Sequence, residues 1–209
     1  MMRAIDKRWR KHFNVEPVCA VTRRKARTYM RWFDHEILRL VWTNQAEIAP
    51  GVFRSNQPTE GRLERLAKSG LASVLTLRGN GGSAPYFTEK QICDRVGLSL
   101  HAIALNARRP PSPETLLALI EAFRNIERPF VMHCKSGADR AGLASAIYLM
   151  AIAGESVHSA RRMLHWRYCH LGLRATAAMD RVLDAYANDT SGLAFEDWVR
   201  LRYDPSDIA

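Results

Sequence analysis

The 209-residue sequence has no apolar run long enough to cross a bilayer, since a membrane-spanning helix needs about 20 such residues. The longest candidate, Ala141 to Ala153, is interrupted by Ser145 and is expected to form a buried helix. The short apolar stretch around Val18–Val21 is too weak for a secretory signal. A cytoplasmic protein is therefore expected, with peripheral contact to a membrane left open.

Paired cysteines, repeats and low-complexity tracts are also absent. The four cysteines are widely spaced and none forms a C-x-x-C pair; they are Cys19, Cys93, Cys134 and Cys169. This spacing argues for free thiols and against a disulfide framework or a structural zinc site. No metal and no cofactor are expected. With 47% apolar residues, the composition is that of a folded chain with a proper core.

Positive charge is concentrated at the N-terminus. Residues 1–31 carry a net charge of +8 in a chain whose total is +10. Aromatic residues are interleaved with these cations, which favours an anionic membrane surface as a partner of residues 1–31. A solvated, solubilising extension explains the same charge, and both interpretations stay open. Nucleic acid is not expected as a partner, because nothing in the sequence resembles a nucleic-acid-binding fold.

Short apolar segments alternate with helical patterns from residue 48 onward. Strands are predicted at residues 51–54, 72–77, 98–105 and 129–133, and helices at 59–69, 88–96, 114–124, 138–153, 155–168, 173–187 and 195–202. This alternation predicts an α/β fold with a central, mainly parallel sheet of four to five strands flanked by helices. The predicted division is a basic, partly helical N-terminal extension (1–47), a main domain (48–190), and a short C-terminal helix with a tail (191–209). Residues 30–43 show helical spacing and are expected to dock on the main domain.

The segment His133–Arg140, called the motif loop below, reads H-C-K-S-G-A-D-R between a predicted strand and a predicted helix. Backbone N–H groups at a helix N-terminus bind phosphate, helped by the positive end of the helix dipole. Gly137 permits a backbone conformation that other residues resist, and the planar guanidinium of Arg140 can hold two phosphate oxygens. The predicted phosphate-binding residues are Lys135, Ser136, Gly137, Ala138, Asp139 and Arg140.

The same loop favours nucleophilic chemistry at Cys134, because a helix N-terminus and nearby cations stabilise a thiolate. A thiolate here can attack phosphorus and form a phosphocysteine intermediate. His133 is expected to orient the loop rather than to attack. Within this chain, only Cys134 is followed six residues later by an arginine.

A C-x5-R motif after a histidine is the signature of the protein tyrosine and dual-specificity phosphatase superfamily, which the chain resembles. The stretches Gly51–Pro58 (G-V-F-R-S-N-Q-P), Ser73–Arg78 (S-V-L-T-L-R) and Pro129–Gly142 resemble the compact, bacterial dual-specificity-like branch. The resemblance covers residues 48–172. It implies metal-independent, cysteine-dependent hydrolysis of phosphomonoesters and makes residues 48–190 a phosphatase domain.

One catalytic group of the superfamily is missing. Relatives carry an aspartate on a separate loop, about thirty residues before the cysteine, that protonates the leaving oxygen. The matching segment, residues 105–111, contains Asn106 and no aspartate. Asp139 is the first candidate for this acid and Glu114 the second, while a substrate with a good leaving group needs no acid. Asp139 at a helix N-terminus is equally explained as a carboxylate that stabilises the helix dipole.

Cations near the motif favour a substrate with several negative charges. Lys135 adds a charge within the loop, and relatives that act on inositol phosphates often have lysine there. Arg108 and Arg109 are candidate substrate-binding residues on the neighbouring loop. A phosphorylated lipid or sugar is favoured, and a phosphoprotein stays open. Ala141 replaces the serine or threonine of many relatives, whose hydroxyl assists departure of the thiolate from the phosphoenzyme. The alternative to an active enzyme is therefore a phosphate-binding pseudophosphatase or a membrane-associated adaptor.

Overall fold

The computed structural model describes residue 9 and residues 11–208, and the side chains of residues 174 and 175 lie outside that description. The basic segment predicted at residues 1–31 therefore lies partly outside the described residues.

Five strands form one sheet in the order β1-β2-β5-β3-β4. They are β1 (Ala46–Ala49), β2 (Val52–Asn56), β3 (Ser73–Thr76), β4 (Ser99–Ala102) and β5 (Phe130–Cys134). β1 pairs antiparallel with β2, and every other pairing is parallel. The predicted mainly parallel sheet is confirmed. The edge strand β1 was not predicted as a strand, and it spans the predicted boundary between residues 47 and 48.

Helices cover both faces of this sheet. They are α1 (Ala20–Thr28), α2 (Leu38–Val41), α3 (Glu60–Lys68), α4 (Ala84–Val96), α5 (Pro113–Asn125), α6 (Asp139–Ala151), α7 (Val157–Ala160), α8 (Ala178–Asn188) and α9 (Phe195–Leu201). A π-helical turn covers Tyr29–Phe33, and 3-10 turns cover Arg161–Met163, Trp166–Tyr168, Arg174–Ala177 and Pro205–Ile208. Among the described residues, no helix is long and apolar enough to cross a membrane.

The prediction of one helix over residues 155–168 is wrong. Only α7 is α-helical there, and the chain continues through two 3-10 turns. The cause is close packing on α6: a Cβ atom at Gly142 would lie 2.8 Å from the carbonyl oxygen of Met163. Met163 and Leu164 are buried by this approach. The helical pattern at 30–43 is also broken, because His35 has a φ of +59° between the π-helical turn and α2, and Asp34 beside it is buried.

The core has two parts, one on each face of the sheet. The larger part includes Leu75 and Met132, while the smaller part includes Val74 and Val131 from the same strands. Successive strand residues thus point to opposite faces, as the pleat requires. Every residue from Ala141 to Met150 is buried, which confirms the predicted buried helix. This packing places the end of β5, between β2 and β3, at the centre of the sheet's carboxyl edge.

The described part of the extension packs on the main domain. The side-chain oxygen of Asn14 accepts a hydrogen bond from the backbone N–H of Ala84 at 2.6 Å, and Gln91 donates to the carbonyl of Pro17 at 3.2 Å. Asp34 binds Arg78, so the docking expected for residues 30–43 is observed. A crevice of about 1100 Å³ remains between α1 and α2 on one side and α3 and α4 on the other. The division into three regions stays a prediction.

Candidate active site

The motif loop joins the central strand to α6, whose residues 141–150 are all buried. Cys134 ends β5 and is 2% exposed, and Asp139 begins α6. The backbone N–H of Gly137 points at the thiol, with its nitrogen 3.2 Å from Sγ. A nucleophile at the end of a parallel strand and the start of a helix lies where such sheets bind ligands.

The tight curvature of the loop requires glycine at residue 137. Gly137 has a φ of +75°, in the left-handed region that favours glycine. A Cβ atom at this position would lie 2.6 Å from the backbone nitrogen of Asn56 and 2.8 Å from the carbonyl carbon of Ser55. The loop therefore lies directly against β2, and no side chain fits between them.

Arg54, on β2, binds the motif loop through its guanidinium. Its Nη2 donates to the carbonyl of Gly137 at 2.6 Å, its Nη1 donates to the carbonyl of Met163 at 2.6 Å, and its guanidinium stacks on the ring of Tyr168. Burial lowers the pKa of Arg54 to about 10, so it remains a cation at neutral pH. These contacts connect the motif loop to the segment that contains Met163 and Tyr168.

Arg140 reaches over the ends of two neighbouring strands. Its Nη1 lies 3.5 Å from the carbonyl oxygens of Leu77 and Leu105, at the long limit for a hydrogen bond. Its Nε is buried without a partner among the described residues. A guanidinium held so weakly keeps hydrogen-bonding capacity for an anion, which agrees with the predicted phosphate-binding role.

His133 is fully buried and pairs with a carboxylate that sequence reasoning missed. Its Nε2 lies 2.8 Å from Oε1 of Glu89 on α4, which is also buried, and its Nδ1 lies 3.3 Å from the carbonyl oxygen of Cys134. These contacts suit the expected orienting role. A signal for Glu89 existed, because it shares the apolar stripe of α4 with Ile92 and Cys93.

Asp139 is engaged by a buried histidine. Its Oδ1 lies 2.7 Å from Nδ1 of His170, and Nε2 of the same ring lies 2.8 Å from Oδ2 of Asp180 on α8. Burial disfavours the charged form of His170, but the hydrogen bonds and charges of both carboxylates outweigh burial and raise its pKa to about 9. His170 is therefore an imidazolium at neutral pH, and it ties the start of α6 to α8.

This pairing predicts a pH-dependent contribution to stability. The folded-state pKa of His170 lies above its ordinary value of 6.5, so the ion pairs stabilise fully below pH 6.5. The contribution declines as pH rises and is lost above about pH 9. We expect the difference in free energy of unfolding between wild type and His170→Asn to be largest at pH 6. This difference should be smaller by about 2–3 kcal/mol at pH 9.5. Urea denaturation at both pH values measures this, with exposed His165→Asn as the control; a pH-independent difference contradicts it.

Lys135 is directed toward the extension. Its Nζ donates to the carbonyl of Phe33 at 3.4 Å and lies 3.8 Å from Oδ1 of Asp34. Ser136 is tethered to the same region, because Asn44 donates to its carbonyl at 3.1 Å. The extension thus forms one wall of the motif loop, which neither charge nor periodicity had indicated.

The remaining predicted residues lie on loops and helix ends around this centre. Arg108 and Arg109 are exposed on the loop after β4, where the backbone N–H of Arg108 donates to the side chain of Asn106 at 2.8 Å. Asn106 directly follows Leu105, which contacts Arg140. Glu114 is exposed in the first turn of α5, where a hydrogen bond from Ser112 lowers its pKa.

The other cysteines lie apart from this chemistry. Cys93 is buried in α4, and burial raises its pKa to about 12, while Cys19 and Cys169 are exposed. Within the described residues, no group of three or more His, Cys, Asp or Glu side chains could hold a metal ion.

A family model described as "DSP-PTPase phosphatase fused to NAD+ Kinase" matches residues 40–181. The chain belongs to this family. It is a phosphoric monoester hydrolase of the dual-specificity phosphatase type, which confirms the resemblance carried by the motif loop. No curated protein matches the phosphatase.

Solved phosphatases share its fold at low sequence identity. Tk-PTP in its active form is 23% identical with a TM-score of 0.54, and the alignment covers 69% of this chain and 97% of Tk-PTP. P. aeruginosa TpbA is 18% identical with a TM-score of 0.55, covering 76% and 91% of the two chains. The catalytic core of the PP-IP phosphatase SIW14 of S. cerevisiae is 17% identical with a TM-score of 0.53, covering 79% and 88%. These likenesses confirm the α/β fold.

Proposed function

We propose that the phosphatase hydrolyses phosphomonoesters through a phosphocysteine on Cys134. The observation that carries this proposal is the arrangement of Cys134 at the end of β5, with the N–H of Gly137 directed at its sulfur. This N–H and the N-terminus of α6 place partial positive charge beside the sulfur. Arg140, with an unpartnered Nε, supplies the cation that binds the substrate phosphate.

The proposed reaction has two displacement steps. In the first, the sulfur of Cys134 attacks phosphorus, the ester P–O bond breaks, and the leaving oxygen departs with the electron pair of that bond and then takes a proton from water. In the second, water attacks phosphorus, the P–S bond breaks, and inorganic phosphate is released. Arg140 and the loop amides stabilise the charge on the transferred oxygens in both steps. Arg54 and the pair of His133 with Glu89 hold the loop in this geometry.

The contacts of Asp139, the first candidate acid, support a positioning role. Asp139 has one oxygen engaged by the imidazolium of His170, an arrangement that suits positioning of α6. We therefore propose that Asp139 positions the loop, and that efficient substrates have leaving groups which depart without an acid. Aryl phosphates, phosphotyrosine included, have such leaving groups. Glu114 remains the second candidate for the acid.

Restoring a carboxylate at residue 106 tests this proposal. Asn106 follows Leu105, whose carbonyl lies 3.5 Å from Arg140, so a carboxylate at residue 106 would lie on the loop next to this arginine. We expect Asn106→Asp to raise kcat for an alkyl phosphate at least about tenfold, since general acids contribute about 10²-fold or more. Activity on p-nitrophenyl phosphate should change little. Asn80→Asp, at an exposed loop position, controls for added charge, and equal effects on both substrates would refute the proposal.

Two solved relatives show which ligands this fold accommodates elsewhere. TpbA of P. aeruginosa has been crystallised with pTyr, and SIW14 is described as a PP-IP phosphatase. Both are under 20% identical to this chain, so any inference about its substrate must be based on the residues of this chain itself. A phosphorylated protein, lipid or sugar remains within the proposal, and substrates with alkyl leaving groups would depend on Glu114 as the acid.

Hydrolysis of p-nitrophenyl phosphate in the presence of a chelator tests the proposed function. We expect metal-independent turnover that vanadate blocks. Phosphate or vanadate binding without turnover would instead establish the alternative, a phosphate-binding pseudophosphatase or adaptor. The absence of a loop aspartate and the presence of Ala141 are the features that favour this alternative.

The anionic membrane surface remains a proposed partner of residues 1–31. Exposed cations on α1, such as Arg23, Arg24 and Arg27, lie beside exposed Val18 and Val21. Such a mixture of cations and apolar side chains binds anionic lipid surfaces. Vesicle sedimentation tests the proposal, and equal binding to neutral and anionic vesicles would rule it out.

A further inference from the structure

The extension places a buried carboxylate at the edge of the active site. Asp34 is 2% exposed and precedes residues 40–181, which the family model matches. Its two oxygens lie 2.8 and 2.9 Å from the guanidinium of Arg78, and one of them also accepts from Arg39 at 2.8 Å. Arg78 follows β3, next to Leu77, whose carbonyl contacts Arg140. Asp34 is thus linked to the strand end that borders the phosphate-binding arginine.

The same carboxylate faces the lysine of the motif loop. Oδ1 of Asp34 lies 3.8 Å from Nζ of Lys135, and the carbonyl of Phe33 accepts a hydrogen bond from that lysine. Asn44 holds the next loop residue through the carbonyl of Ser136. Lys135 is therefore drawn toward the extension.

Asp34 remains charged in this setting. Burial disfavours its carboxylate form, but the hydrogen bonds and charges of Arg78 and Arg39 outweigh burial and lower its pKa. The Asp34 carboxylate raises the pKa of Arg78 in turn, against the effect of burial. The Asp34 carboxylate offsets part of the positive charge of Arg78, Arg39 and Lys135, and so weakens the attraction of this edge of the site for a further anionic group of a substrate.

We propose that Asp34 determines substrate specificity by engaging Lys135 and Arg78, so that the site accepts substrates with one phosphate and disfavours those with several. This inference rests on the proposed phosphatase function and names its substrate class. It differs from the sequence-based expectation of a multiply charged substrate, in which Lys135 binds the substrate directly. A second phosphate near the loop meets a lysine whose charge the buried carboxylate of Asp34 partly offsets.

Comparing kcat/KM for phosphotyrosine and for inositol hexakisphosphate tests the inference. We expect Asp34→Asn to raise the relative use of inositol hexakisphosphate about tenfold, because one adjacent like charge is removed. Asp34→Glu should restore the wild-type ratio. Asp94→Asn is the matched control, because it removes the same charge from an exposed residue that pairs with Lys90 on α4. A loss of activity that is equal for both substrates would show a structural role only and would overturn the inference.

Lys135→Met is a second variant that tests the inference. Its effect in the wild-type background does not depend on whether Asp34→Asn folds. Since Asp34 already engages Lys135, this change should alter the wild-type substrate ratio less than about threefold and should cancel the gain of Asp34→Asn. A collapse of inositol hexakisphosphate use in Lys135→Met alone would overturn the inference. Calorimetric binding of both compounds to Cys134→Ser separates the two proposals. Absence of turnover in wild type refutes the proposed function, whereas an affinity ratio that Asp34→Asn does not change refutes the specificity role.

Discussion

Replacing Cys134 by serine should reduce kcat for p-nitrophenyl phosphate by about 10⁴-fold or more, the scale found when a covalent nucleophile is removed. The serine hydroxyl is far less acidic than a thiol, so the N–H of Gly137 and the N-terminus of α6 cannot make it an effective nucleophile. Steady-state kinetics measures the loss. Acid quenching of wild type during turnover should trap one phosphate on Cys134, detectable by mass spectrometry.

The variant should keep the fold and the phosphate site, because sulfur and oxygen differ little in size. Vanadate or phosphate binding by Cys134→Ser is therefore expected to persist. Cys169→Ser, at an exposed position, is the matched control and should retain full activity. Residual activity of Cys134→Ser close to that of wild type would refute the phosphocysteine mechanism.

Replacing Arg54 by methionine should lower both stability and activity. The variant leaves the carbonyls of Gly137 and Met163 without the charged donor that now binds each at 2.6 Å. Loss of such buried hydrogen bonds costs about 3 kcal/mol, because each involves a charged group. The loop should also lose its alignment, with an expected fall in kcat/KM of about 100-fold. Urea denaturation and steady-state kinetics measure the two effects.

The activity loss can be separated from the stability loss by assaying well below the unfolding temperature. Arg54→Lys keeps the charge and can recover part of the effect through one of the two contacts. Arg200→Met, an exposed arginine paired with Glu196, is the control and should change neither quantity beyond about 0.5 kcal/mol. Full activity of folded Arg54→Met would show that Arg54 serves the fold alone.

The sheet type and the position of the motif loop could be predicted from the amino-acid sequence. Residues 133–140 carry their own local structure, since an apolar strand, a glycine-containing loop and a helix follow one another directly. The proposed nucleophile and its arginine could therefore be identified from the C-x5-R spacing together with the preceding histidine, the strand before it and the helix after it. The buried helix after the loop could also be predicted, because its apolar run has no other stable location. Helix boundaries at 155–168 could not be predicted, since packing against Gly142 breaks the helix.

The side chains that contact the motif loop from distant parts of the sequence could be identified only from the folded structure. Arg54 and Gly137 are 83 residues apart, and His170 and Asp139 are 31 apart. Phe33, which precedes Asp34 in the chain, meets Lys135 across 102 residues. Such pairs depend on strand order and on how the extension docks, and local periodicity contains neither. The physical reason is that a local pattern specifies an element and its buried face, whereas the partner of a buried charge is chosen by packing.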